Sequence, residues 1–366
     1  MNTVGVETSE AAAQPAPSPS GFDARGLLRP TVIVALLAFV LLALPSMLSI
    51  YYVDAATQVA IYAIVALGLG LLVGRVGMVS LGQVAVLALG AWVAARILFA
   101  TSLPYPVVLL ASGLITMVLG TLVGLPALRL SGLYLALITL MLAGAITVVL
   151  ATTNFPNGGS GFLGYNAATV HIPPIRRPSI ATTDPAFFRY AVIVGVLMFL
   201  LALAHVRTRP GRAWAAIRQS ESAALAAGIN TTLYKLWAFA LASFVTGVAG
   251  CLLAAQVGVP RAITFQTQDS LTLGATALIG GIYSLWGAIV AGVFQQGIPF
   301  LFQAQWGINP NFLLIIFGVG LLQVLLTAPG GLADQLPKDL ARLGRLAWNL
   351  VASRVREQAA AEKKAP

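Results

Sequence analysis

Charge is scarce in this sequence. Only 9% of its 366 residues are Asp, Glu, Lys or Arg while 58% are hydrophobic; a soluble domain carries about 25% charged residues, so a water-soluble globule is excluded and an integral membrane protein expected. Cysteine is almost absent: Cys251 stands alone in an apolar run, which rules out a disulfide framework within the chain and reads as a small buried hydrophobe. His171 and His205 are the only histidines. They fall on opposite expected sides of the membrane, so no metal cluster is expected. None of Lys235, Lys338, Lys363 and Lys364 follows a glycine, so the chain has no G-x-x-x-x-G-K-[ST] phosphate loop and does not bind ATP by that route. The glycines at 68, 70 and 74 lie in an apolar run with no strand before them and read as helix-packing positions. No Asp or Glu falls inside an expected span, although Asp54 and Asp269 stand at span edges. Proton-coupled pumps need such buried carboxylates. No nucleophile–base pair or ligand set is visible either. Neither an enzyme nor a resident cofactor is expected.

What is present is a series of apolar runs. Residues 1–30, rich in Ala, Pro and Ser, read as a disordered cytoplasmic tail. Spans are expected from 31, then at about 55–73, 84–100, 105–125, 131–151, 187–206 and 236–257. The stretch 270–333 holds no charged residue or His, room for several crossings. Within it Gly280, Gly281, Gly287 and Pro299 break residues 271–305 into pieces expected to be short or re-entrant. A net charge of +10 would suggest nucleic acid in a soluble protein, but the basic residues cluster outside the apolar runs. With the N-terminus cytoplasmic, 16 of the 21 Lys and Arg fall on one side, the positive-inside pattern. The expectation is an all-α polytopic membrane protein, a bundle of about 8–10 transmembrane helices with both termini inside. A transmembrane domain would occupy 31–330, an extracytoplasmic loop 152–186, a cytoplasmic loop 207–235 and a cytoplasmic tail 331–366. Lipid is then a partner and nucleic acid is not.

One long polar island interrupts the apolar sequence: residues 207–239, RTRPGRAWAAIRQSESAALAAGINTTLYKLWAF. Pro210 suits a helix start and Gly228 a left-handed stop. About 16 helix formers between them predict one helix, too polar and too short to cross a bilayer. At about 100° per residue, Trp214, Ile217, Arg218, Glu221 and Leu225 share a bulky stripe, with Ala215, Ala216, Gln219, Ala223 and Ala226 opposite. Arg218 and Glu221 form an i,i+3 pair. Such a helix is shaped to be gripped from outside, or to lie as an ordinary helix on the membrane surface.

Residues 221–228, ESAALAAG, resemble the EAA loop of ABC-importer permeases, with Ser222 where that pattern has Ala. The longer pattern, Gly211-Arg-Ala through Ala-Ile-Arg218 to Gly228-Ile-Asn and Tyr234-Lys-Leu-x-Ala-Phe239, resembles branched-chain amino acid ABC transporter permeases of the LivM type. GRVGMVSLGQ at 74–83, PALRL at 126–130 and GGIYSLWG at 280–287 are similar to further blocks of that family. Tyr283 replaces a glycine of the last block, which puts its local backbone shape in question. The resemblance covers roughly 55–330. It implies a multi-pass permease of the bacterial cytoplasmic (inner) membrane, a second permease subunit as heterodimer partner, two ABC ATPase subunits and an extracytoplasmic solute-binding protein. The substrates it implies are branched-chain or other hydrophobic amino acids; urea or short amides are the nearest alternative, and a stand-alone secondary transporter the rival from another class. Arg212, Trp214, Ile217, Arg218, Glu221, Ala224 and Gly228 are then the candidate ATPase-coupling residues. Ser80, Gln83, Thr139, Asn154 and Asn157 are candidate pathway residues, polar groups on otherwise apolar runs whose other reading is interhelical hydrogen bonding or loop capping.

Overall fold

A computed structural model describes residues 35–127, 132–153, 174–258, 260–261, 264–307, 310–327, 331–333 and 335. The chain divides into two units, Met1–Met47 and Leu48–Pro366. The first contains a short apolar helix, Ala35–Met47. Among the described residues there is no strand.

The second unit runs α1 (Ile50–Gly70) with a π-helical continuation Leu71–Val76, α2 (Gln83–Ala100), α3 (Tyr105–Ala127), α4 (Gly132–Thr153) and α5 (Asp184–Arg207). The island then forms α6 (Arg209–Gln219) and α7 (Glu221–Ala226), followed by α8 (Thr231–Val257) and α9 (Thr267–Gly280). A last run comprises α10 (Gly287–Gly292), a π-helical turn Val293–Gly297 and α11 (Ile298–Trp306), before α12 (Pro310–Thr327). Seven described helices are long and apolar enough to cross a membrane. The expected eight to ten exceed this by segments that are short, as Ala35–Met47 and α9 are, or that border undescribed residues, as α12 does.

The core forms around α8. Its apolar window is 94% buried, as befits a helix hydrophobic all round, and it packs on α3, α2 and α1. Small residues set these distances, since lipid-embedded helices attract one another chiefly by close contact. A Cβ on Gly90 would stand 2.7 Å from Gly247 backbone atoms, and one on Gly124 2.9 Å from the Phe239 ring. The Ser112 hydroxyl donates to the Gly90 carbonyl at 2.8 Å, tying α3 to α2 beside α8. α3 and α4 turn large side chains such as Leu114, Val118 and Met141 outward, where lipid solvates them.

The 271–305 stretch breaks once rather than at every expected point. α9 has 14 residues, about 21 Å, short of a ~30 Å hydrocarbon core. Gly281, at φ 103°, ends it, and a tight turn follows in which Ser284 N–H bonds the Gly281 carbonyl at 3.0 Å and Gly287 N–H the Ser284 carbonyl at 3.1 Å. Pro299 does not interrupt the helix. The π-helical turn Val293–Gly297 lies just before it, and that wider turn makes room where the ring would meet the carbonyl four residues back. Thr276 Oγ1 and Thr272 Oγ1 of α9 hydrogen-bond the Gln295 amide at 3.1 Å each, so α9 and the following run are cross-linked above their turn.

Candidate functional site

The polar island folds as two helices, not one. α6 opens after Thr208, with Pro210 in its first turn. Gly211 is required there because a Cβ would overlap the Val206 carbonyl. Ser220 is extended (φ −161°, ψ 118°) and breaks the helix. Its hydroxyl then accepts the Ala223 N–H at 3.3 Å, capping α7. A serine favours such a break because its oxygen substitutes for a backbone acceptor, which a count of helix formers does not register. At the far end Gly228 takes φ 78°, as expected of a left-handed stop. Gly228 N–H bonds the Leu225 carbonyl at 2.9 Å and Ile229 N–H the Ala224 carbonyl at 3.0 Å, a Schellman closure. Asn230 Oδ1 then caps α8 by accepting Leu233 N–H at 3.0 Å.

The bulky stripe divides: Trp214 and Ile217 face the protein's own body, a correction to the outward grip expected from the sequence, while Leu225 stands outward and the exposed Arg218 and Glu221 reach back to distant segments. Trp214 is fully buried, Ile217 is 5% exposed and Ala224 3%. Trp214 Nε1 donates to the Tyr234 carbonyl at 2.9 Å, fixing α6 to the start of α8. The expected Arg218–Glu221 pair is replaced by two contacts to distant segments. Lys235 Nζ donates to Glu221 Oε1 at 2.6 Å, with side-chain exposures of 11% and 47%. Arg218 Nη1 donates to the Gly74 carbonyl at 2.7 Å, and its guanidinium lies 4.3 Å from the Tyr283 ring centroid. The face left outward carries Arg212, Ala215, Gln219, Ala223, Leu225 and Ala226, all exposed. The pair is therefore pinned inward by bulk and charge, and its outward face presents alanines with Arg212, Gln219 and Leu225.

The break 77–82, between the π-helical turn and α2, gathers three of the pathway candidates. Gly77 turns the chain at φ 84°. Ser80, Gln83 and Thr139 are buried at 4%, 3% and 4% exposure. Thr139 Oγ1 accepts Leu81 N–H at 2.9 Å and donates to the Ala136 carbonyl at 3.0 Å. Gln83 Oε1 accepts the Thr246 hydroxyl at 2.9 Å. The Gln83–Thr246 bond is interhelical and the Leu81–Thr139 bond ties the break to α4, contacts of the packing kind. Asn154 and Asn157 lie outside the described residues. The sequence reading missed the Thr272–Thr276–Gln295 network; Gln295 and Gln296 inside an uncharged run were its only signal. Among the described residues no three His, Cys, Asp or Glu side chains come together as metal ligands.

Two relatives share most of this architecture in sequence. The high-affinity branched-chain amino acid transport system permease protein LivM of Salmonella typhimurium is 32% identical over 275 residues, 70% of this chain and 65% of that protein. The Escherichia coli LivM protein is 31% identical over 279 residues, again 65% of its length, so the match spans slightly less than two thirds of these relatives. The fructose import permease protein FrcC of Rhizobium meliloti is 34% identical over 149 residues, 38% of this chain and 41% of that protein. No solved structure matches. The family described as branched-chain amino acid transport system, permease component, matches residues 51–325, a stretch that takes in the seven long helices and the helix pair, and the chain belongs to that family.

Proposed function

We propose that the chain is a permease subunit of an ATP-driven bacterial importer, carrying branched-chain or other hydrophobic amino acids inward across the cytoplasmic membrane. In this reading it pairs with a second permease subunit, receives substrate from an extracytoplasmic binding protein and is driven by two ATPase subunits. Both termini and the α6–α7 pair face the cytoplasm. The observation that carries the proposal is the α6–α7 pair, pinned inward by Trp214, Arg218 and Glu221 while a face of small residues around Leu225 stays open. A polar helix pair anchored so firmly beneath a membrane domain is shaped to receive a push. Family membership over residues 51–325 supports the reading, and so does the absence of a phosphate loop from the sequence.

The substrate class follows the LivM relatives, whose match is about twice as long as that of the fructose permease. The test is uptake of labelled leucine into proteoliposomes holding both permeases and the ATPases, with binding protein supplied on the opposite side from ATP. Leucine should accumulate only with ATP present. Accumulation driven by an ion gradient without ATPases would overturn the proposal in favour of a stand-alone transporter.

A further inference from the structure

Gly74 lies in the π-helical turn that ends α1. Beyond it Gly77 N–H goes to the Val73 carbonyl and Met78 N–H to the Leu72 carbonyl. The chain then leaves the helix, so the Gly74 carbonyl has lost the backbone donor a continuing helix would supply. Arg218 of α6 supplies one, at 2.7 Å, and brings its positive charge to the negative end of the helix. The same guanidinium stacks on Tyr283 at 4.3 Å, in the turn between α9 and α10. The two segments touch each other as well: a Cβ on Gly74 would overlap the Ile282 carbonyl, and one on Gly77 would stand 3.3 Å from Arg218 Cγ. Three distant pieces of chain thus meet at one side chain.

We propose that Arg218 is the positioning residue that transmits motion of the α6–α7 pair to two membrane segments at once, the end of α1 and the α9–α10 turn. This rests on the reading of the pair as the receiver of ATPase motion. Among the described residues Arg218 has no carboxylate partner, since the two ion pairs are Arg177–Asp184 and Lys235–Glu221; its charge is used on a carbonyl and a ring. Above the turn, α9 and the following run are cross-linked through Gln295 to Thr272 and Thr276, so a displacement of Tyr283 moves both walls of that hairpin together. Tyr283 supplies the surface on which the joint rests. Only arginine can stack flat and donate in the same plane; a lysine ammonium does one or the other.

The experiment compares Arg218→Lys, Tyr283→Leu and Tyr283→Phe in the full complex in proteoliposomes. It measures ATPase co-purification and leucine transported per ATP hydrolysed. Arg218→Lys and Tyr283→Leu should keep the ATPases bound yet lower leucine per ATP by about fivefold or more, the range of ordinary intersite coupling. Tyr283→Phe, which keeps the ring, should stay near wild type. The double variant Arg218→Lys/Tyr283→Leu should be no worse than the more damaging single change, because both break the same joint. Unchanged leucine per ATP in both single variants overturns the proposal. So does loss of the ATPases from Arg218→Lys, which would put Arg218 on the docking face. Hydrogen exchange on the purified permease alone provides the second measurement. Arg218→Lys should speed exchange at the Met78 amide and at the Ser284 and Gly287 amides together; a response at neither segment, or at one only, overturns the joint. Failure of the wild-type chain to bind ATPases would refute the functional reading, and exchange would still judge the joint.

Discussion

Glu221→Lys removes the acceptor from an ammonium that has little access to water. Lys235 Nζ lies 2.6 Å from Glu221 Oε1, and the lysine side chain is only 11% exposed. A charge-assisted hydrogen bond contributes ~1.5–3 kcal/mol; the carboxylate is 47% exposed, so screening puts this one at the low end. The introduced lysine adds repulsion. With the two ammoniums swung ~7 Å apart in a half-wet site, this costs about 1 kcal/mol. The sum is roughly 2–3 kcal/mol against the closed α7, a ~30–160-fold rise in its open population. The amides that report it are those of Ala224, Ala227 and Ile229, whose bonds to Ser220, Ala223 and Ala224 carbonyls close α7. Their exchange should accelerate by about that factor while amides in the middle of α8 stay protected. ATPase co-purification should fall in parallel. The swapped pair, Glu221→Lys with Lys235→Glu, should return exchange to within a few fold of wild type. Unchanged exchange in the single variant, or a swap that rescues nothing, would show that the ion pair does not hold α7.

Two further outcomes are expected. Gly228→Val strains a residue held at φ 78° with no neighbour within 4 Å of its Cβ position, so only the backbone resists; at about 1–2 kcal/mol or more, faster exchange at the Ile229 amide and weaker ATPase retention should follow, and wild-type retention would remove the Schellman closure from the coupling argument. Gln83→Leu breaks the buried bond to Thr246, for which interhelical values average about 0.6 kcal/mol. Leucine uptake per folded complex should therefore stay near wild type, and a clear loss of uptake at normal assembly would place Gln83 on the pathway.

The outward and inward faces of the helix pair matter for interpreting any such variant. Trp214, Ile217 and Ala224 are buried in their own chain, so their replacement tests the anchoring of the pair. Arg212, Ala215 and Leu225 stand outward. Their replacement tests docking while leaving the anchor alone.

Sequence alone determined the class of the molecule, because the terms that set it are local and additive. Apolar runs long enough for a bilayer placed six of the seven long helices within about five residues of their ends, while the seventh, Gly287–Trp306, lay in the stretch expected to break into short pieces. Gly228 announced a left-handed stop because few other residues adopt φ 78° at low cost. The polar island 207–239 announced a non-spanning helix because too little of it is apolar. Tertiary structure alone decided which way that island faces. Periodicity shows that Trp214, Ile217, Arg218 and Glu221 share a stripe, but a stripe fits a partner and the protein's own body equally well. The choice came from Gly74, Tyr283, Tyr234 and Lys235, at least 14 residues away in every case. The same holds for Gln83, whose partner Thr246 is 163 positions distant, and for the Pro299 run, where a π-helical turn absorbs the ring. Contacts such as Arg218–Gly74 and Gln83–Thr246 depend on how whole helices dock, and periodicity within one helix does not register them.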